Sequence, residues 1–286
     1  MKNYIFGDTG GHADALISAL ESIGLDMVTM KLPEDVRVVH LGDLIHKGPD
    51  SEKLLAFVDK VMEENPGQWI QLMGNHESQY FKGAPWFWND RIDVHGLAVL
   101  GKWKQEGLIH YAYALDHNDL TVEISAKPKL PIPADKDILL THSGITQWFW
   151  TKLKKPKTAK EAADLINSMS IHEVSQAGVM LYGPSKHLKP GPMWALSSEE
   201  VYLSWLKSGV DMPFIQIHGH TAAFNWMLRK WWANTPKAFQ DNTVLNPRVR
   251  ASITSINNSV QIGLDPGFEN NRDLATQPFL SFSSQK

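Results

Sequence analysis

Five short apolar runs in this chain stop abruptly at a side chain able to bind a cation. They read KNYIFGD, VRVVHLGD, QWIQLMGN, DILLTHSG and FIQIHGH, and they deliver Asp8, Asp43, Asn75, His142 and His220. Each run is too short for a helix and apolar enough to be a buried strand. Between the first three lie two amphipathic stretches. One covers roughly Ala13 to Ile23, with Leu16, Ile17 and Leu20 on one face; the other covers Ser51 to Glu64. Alternating strand and helix predicts parallel strands with right-handed crossovers. Parallel strands present their carboxyl ends at one rim, where open α/β sheets carry their sites. Polar residues far apart in sequence therefore converge.

The rhythm changes after the third run. Trp86 to Tyr113 is aromatic and reads as mostly helical. Lys152 to Leu206 also reads as helical, interrupted by YGPSKHLKPGPMW, and SITSINNSVQIGLDPG reads as paired strands. No repeat or low-complexity linker divides the chain. The expectation is one domain over residues 1–286, with helical insertions at about 80–115 and 150–210.

Composition removes several classes of function. A hydrophobic share of 43% and a charged share of 21% suit an ordinary globular protein. The formal net charge of −3 offers no pull toward a nucleic-acid backbone, so no specific nucleic-acid partner is expected. Cysteine is absent, which excludes disulfides and thiolate metal sites. No apolar run is long enough to span a bilayer, and the first residues lack the blocks of a signal peptide. A cytoplasmic protein without membrane contact is expected.

Carboxylate, amide oxygen and imidazole are donors that hard-to-borderline divalent metals accept. The order GD, GD…G, GNHE, H-x-G and GHT resembles the calcineurin-like metallophosphoesterases. It is closest to their branch of serine/threonine phosphoprotein phosphatases and bacterial diadenosine-tetraphosphate hydrolases. The motifs run from Gly7 to Thr221, and QIGLDPGFEN resembles the closing strand and turn of that branch. GNHE and the spaced GD pair are the specific parts. The resemblance implies an α/β fold, a four-layer α/β/β/α sandwich with a helical insertion. It also implies two divalent metal ions (Mn, Fe, Zn or Co) at the rim and water attacking phosphorus in line. The substrate it implies is phosphorylated: a phosphoprotein, a nucleotide or a dinucleoside polyphosphate.

Carried over by position, Asp8 matches the first-metal aspartate and Asp43 the bridging aspartate. Asn75, His142 and His220 complete the second metal, and His76 matches the histidine that protonates the leaving oxygen. Two departures stand out. The family's GDxHG reads GDTGGH here, so Gly10 replaces an imidazole. The first metal is then completed by His12, by another group such as His46 or Asp265, or only weakly by water. The two glycines have a second reading, in which a phosphate approaches backbone N–H groups at the helix start. The family's GDxVDRG reads GDLIHKG, so His46 and Lys47 replace the aspartate that orients the acid and the arginine that clamps phosphate. Lys47 still attracts phosphate, as a point charge. Neutral His46 accepts one hydrogen bond from His76, and Glu77 or another acid is left to orient it.

Arg91 and Arg229 are candidate clamps without positional support. The tryptophan-rich segments APWFWND and RKWWAN read mainly as packing, or else as a stacking wall for a flat substrate group. Three functions remain in view: a metal-dependent phosphoesterase, a catalytically weakened relative that binds a phosphorylated ligand or partner, and a metal-dependent nuclease or cyclic-nucleotide phosphodiesterase.

Overall fold

The structure is a computed structural model that describes residues 1–117, 133, 135–183, 189–268 and 275–283. In chain order the strands are β1 (Lys2–Phe6), β2 (Val36–His40), β3 (Trp69–Leu72), β4 (Ile109–His110), β5 (Ala112–Leu115) and β6 (Ile138–Thr141). They continue with β7 (Ile215–His218), β8 (Phe224–Asn225), β9 (Lys230–Trp231), β10 (Thr243–Asn246), β11 (Ala251–Ile256), β12 (Ser259–Gly263) and β13 (Phe279–Ser283). A five-stranded sheet has the order β13-β1-β2-β3-β4, and a six-stranded sheet the order β10-β11-β12-β7-β6-β5. The first four helices are α1 (Ala13–Ser22), α2 (Ser51–Glu64), α3 (Asn75–Ser78) and α4 (Val94–Gln105).

Strands β1 to β4 run parallel, with antiparallel β13 at the edge. In the second sheet β6, β7 and β12 run parallel, flanked by antiparallel β5 and β11. Side chains alternate across each pleat, so every strand feeds two cores. One apolar layer lies between the sheets and includes Ile5, Val39, Leu41, Leu72, Leu140, Ile217 and Ile262. The other lies under the helices, where Leu16 and Leu20 of α1 and Leu54, Val58 and Val61 of α2 are fully buried. Helix, sheet, sheet and helix thus stack as the family resemblance implies.

The stretch read as helical from Trp86 to Tyr113 divides. Helix α4 ends at Gln105, Gly107 turns with φ +69°, and the chain enters β4 and β5. Ile109, Tyr111 and Ala112 are buried there, so sheet pairing overrides the local helical look. The stretch after Lys152 is helical as expected, with segments Ala159–Asn167, Ile171–Val174, Val179–Tyr182 and Leu203–Ser208. Paired strands β11 and β12 account for SITSINNSVQIG, turning at Asn257 with φ +51°.

Candidate metal centre

All five polar run ends sit on one rim. Asp8 follows β1, Asp43 follows β2 and Asn75 follows β3; His142 follows β6 and His220 follows β7. The two sheets thereby supply the two halves of one site.

Four of the donors form a tight group. Asn75 Oδ1 lies 3.0 Å from His142 Nε2 and 3.1 Å from His220 Nδ1. His142 Nε2 lies 3.4 Å from Asp43 Oδ1. Metal bonds to such atoms run about 2.0–2.2 Å, so ligands sharing an ion stand roughly 3.0–3.5 Å apart. Asp43, His142 and His220 are a compact, buried donor triple. The His142 Nδ1–H donates to the Leu41 carbonyl at 2.9 Å, which leaves the Nε2 lone pair facing the group. The Asn75 amide has two orientations. Nitrogen inward, it donates to Asp43, His142 and His220. Oxygen inward, it completes a nest of acceptors that calls for a cation. The donor set therefore fits one divalent ion.

Glycine makes this approach possible. A Cβ on Gly74 would stand 2.1 Å from Asp43 Oδ1, and one on Gly219 would stand 2.2 Å from Asp8 Oδ1. The backbone carries strain here too: Asp43 has φ +55° and His220 φ +68°, both left-handed.

Asp8 stands beside this group. Its Oδ1 accepts the His220 N–H at 2.8 Å, and its Oδ2 is buried without a hydrogen-bond partner. His12 does not join the compact group; its ring stacks on Phe268 at 4.7 Å. Asp265 lines the cavity beside the site and caps its own turn by accepting the Gly267 N–H. The glycines after Asp8 do not offer their N–H groups to a phosphate. Gly10 donates to the Asp43 carbonyl at 2.8 Å and Gly11 to the Leu44 carbonyl at 2.6 Å. They tie the first GD loop to the second.

His76 is oriented by His46. Their Nδ1 atoms are 2.7 Å apart, and His46 Nε2 lies 2.7 Å from the Tyr80 hydroxyl. His76 Nε2 points toward Asp43 Oδ2 at 3.8 Å. Glu77 does not orient His76. It is fully buried, and its two oxygens accept the N–H groups of Asp43, Leu44, Ile45 and Gly74. A carboxylate held by four backbone donors organises the loop and has no oxygen turned to the imidazole. Tyr80, one turn beyond the GNHE motif, was not legible as part of this chain. Its only sequence signal is its spacing of four from His76, which brings residues to one helical face.

Burial and the neighbouring carboxylates Asp265 and Asp43 push the Asp8 carboxyl well up from its ordinary range. Burial likewise pushes Asp43 up to about 8, opposed by Lys47. Burial holds His142 and His220 down, which keeps them neutral and fit to ligate. Without a cation, then, folded Asp43 keeps a proton that the unfolded chain has released above its ordinary 3.8. This group's contribution to stability is full below that value and is lost as pH rises to about 8. A divalent ion held by these residues would take the proton's place. Mn²⁺ is accordingly expected to raise the melting temperature more at about pH 8 than at about pH 5.5. Differential scanning fluorimetry with and without the ion measures this, and an equal or smaller increment at the higher pH contradicts it.

A cavity of about 430 Å³ opens beside the donors. Phe87, Trp88, Trp194, Trp226 and Trp232 line it, together with Lys47, His76 and Asp265. Part of APWFWND is thus wall rather than packing. Neither Arg91 nor Arg229 reaches the cavity; the Arg91 guanidinium lies 4.4 Å over the Trp86 ring. A second acidic cluster, Asp116, His117 and Asp137, lies nearer the surface, where His117 Nδ1 pairs with Asp137 at 2.8 Å.

Residues 1–224 match the family model for calcineurin-like phosphoesterase, and the chain belongs to that family. It is similar to the symmetrical bis(5'-nucleosyl)-tetraphosphatase of Marinomonas sp., 29% identical over 177 residues, which is 60% of this chain and 54% of the relative. The enzyme of the same name from Erwinia tasmaniensis is 29% identical over 154 residues, 52% of this chain and 46% of the relative. The chain therefore spans about half the length of the curated relatives it matches. A solved structure of a methionine mutant of cold-active protein tyrosine phosphatase shares the fold, with a TM-score of 0.53 at 15% identity. That match covers 98% of this chain and 74% of the other. Among the described residues no helix is long and apolar enough to cross a membrane.

Proposed function

We propose that this chain hydrolyses a phosphate ester or phosphoanhydride, using a divalent cation held by Asp43, Asn75, His142 and His220. The observation that carries the reading is the convergence of those four donors from four strand ends of two sheets. A cation there would polarise a phosphate oxygen and lower the pKa of water enough to make it a nucleophile. The manganese class of ions and a cytoplasmic setting are parts of this reading.

His76 is the group suited to protonate the leaving oxygen. The Tyr80 oxygen accepts the Ile92 N–H at 3.2 Å and lies 2.7 Å from His46 Nε2. A single proton shared between the Nδ1 atoms of His46 and His76 fixes the ring, so that His76 Nε2 faces the site. The Gln79 amide also approaches His46 Nδ1, at a longer 3.4 Å. Burial lowers His46 to about 4, so it is neutral near pH 7 and suited to this role. Replacing His46 with alanine should therefore hurt poor leaving groups most. Rates on aryl phosphates of graded leaving-group pKa are expected to fall about 10²-fold at the poor end and much less at the good end. A uniform loss across the series contradicts the assignment.

The aromatic wall supports a substrate with a flat group. Indole N–H groups of Trp88 and Trp194 are buried there without hydrogen-bond partners, as donors for such a group. A dinucleoside polyphosphate answers this description, and the names of the curated relatives favour it. The test is a substrate panel of dinucleoside tetraphosphate, aryl phosphate and phosphopeptide, each with Mn²⁺ and with chelator. Chelator-sensitive hydrolysis, strongest on the first, is expected. An inert protein across the panel with the ion present overturns the proposal and favours the binding scaffold, to which the glycine at position 10 lends support.

A further inference from the structure

The family's first cation position contains a different group in this chain. Lys47 turns inward, and its Nζ lies 4.0 Å from Asp8 Oδ2 and 4.0 Å from Asp43 Oδ2. Its side chain is only 14% exposed. The two carboxyl groups that would hold the first ion thus already flank one ammonium.

The loop is built for this. His46 and Lys47 have φ +70° and +62°, so the chain doubles back and carries the lysine stem over the first GD loop. Gly48 locks the turn by donating to the Gly10 carbonyl at 2.7 Å. A Cβ added to Gly10 would lie 3.5 Å from both Cβ and Cδ of Lys47. A side chain starting at position 10 would therefore lie in van der Waals contact with the lysine stem. Gly10 itself has φ +54°, where a residue with a side chain is strained. The missing imidazole and the added lysine thus fall at adjoining positions. Among the described residues, the compact donor groups leave out Asp8, His12 and Asp265 alike.

We infer that the Lys47 ammonium replaces the first divalent cation, so that the chain holds one metal ion per molecule. This rests on the donor set proposed above for the other ion. The chemistry divides accordingly. The ammonium supplies a fixed positive charge between Asp8 and Asp43 and faces the cavity, where it attracts a phosphate oxygen. It offers no open coordination position, so activation of water stays with the single ion.

The experiment is a count. The full chain is titrated with Mn²⁺ to saturation and followed by isothermal titration calorimetry and electron paramagnetic resonance. One ion per chain, with the six-line signal of an isolated Mn²⁺, is expected. Two ions with an exchange-coupled signal overturn this inference and leave the proposed function standing. No bound ion overturns the donor set itself, and the inference falls with it. The variant Lys47→Ala, checked for folding by circular dichroism, is expected to keep its single ion and lose roughly 10²-fold in kcat. Parental kcat in that variant also overturns the inference. The double variant Gly10→His with Lys47→Ala removes the ammonium and restores the imidazole. It is expected to bind a second ion, and binding of one ion only counts against the exchange of lysine for metal.

Discussion

Alanine in place of His220 is expected to lower kcat/KM by a factor of about 10³, which corresponds to about 4 kcal/mol of lost transition-state stabilisation. His220 brings one of four donors, and it is anchored twice. Its backbone N–H donates to Asp8 Oδ1 at 2.8 Å, and its Nδ1 faces Asn75 at 3.1 Å. The ring is buried, so its removal leaves a hole in the donor set. Asn75→Ala is expected to act similarly, because the amide is the group that all the other donors face. The measurement pairs steady-state rates with ion content of the same samples. Both quantities should fall together, and a variant with parental rate and parental metal content refutes the assignment.

The Glu77→Gln variant is expected to lose about 3–5 kcal/mol of stability, although it touches neither substrate nor ion. Glu77 Oε2 accepts from Asp43 and Gly74 at 2.8 and 2.9 Å, and Oε1 accepts from Leu44 at 2.8 Å and Ile45 at 3.3 Å. Glutamine turns one of these oxygens into an NH₂ that confronts backbone donors in a site with no exposure to solvent. Charge-assisted acceptors are worth about twice neutral ones, so both ends of the clamp weaken. At roughly 2–4 °C per kcal/mol for a chain of this size, the melting temperature should drop by about 10 °C. The comparison belongs in chelator, where ion binding does not mask it. A drop under about 2 °C would show that the loop is held by something else.

How far the sequence foretold these features depends on what determines each one. The convergence of Asp43, Asn75, His142 and His220, the proposed donors, was legible because topology determines it. Parallel strands of fixed direction end on one rim, and a polar residue closing an apolar run has to stand there. The sandwich was legible for the same reason, through alternating runs that bury both faces. Other features were set by tertiary geometry. Glu77 lies inside the most specific motif, yet nothing in GNHE distinguishes an acid that steers an imidazole from one that clamps four amides. Lys47 read as a phosphate clamp because its direction depends on two consecutive left-handed residues, His46 and Lys47. Neither is the type that advertises such a conformation. The strands at β4 and β5 were missed because helix-like composition ran up to Gly107, and only pairing with β3 and β6 decides the outcome.

One sheet contributes Asp43 and Asn75, and the other contributes His142 and His220. During synthesis the ribosome therefore releases the two halves of the donor set at different times. A nascent chain that has emerged only through the third strand owns a carboxylate and an amide but no imidazole to complete the grip. Cation uptake by the proposed donor set would have to wait until β7 has emerged and docked. Prematurely terminated copies ending before His220 would carry no tightly held ion, and a cell short of such ions would lose none to unfinished product.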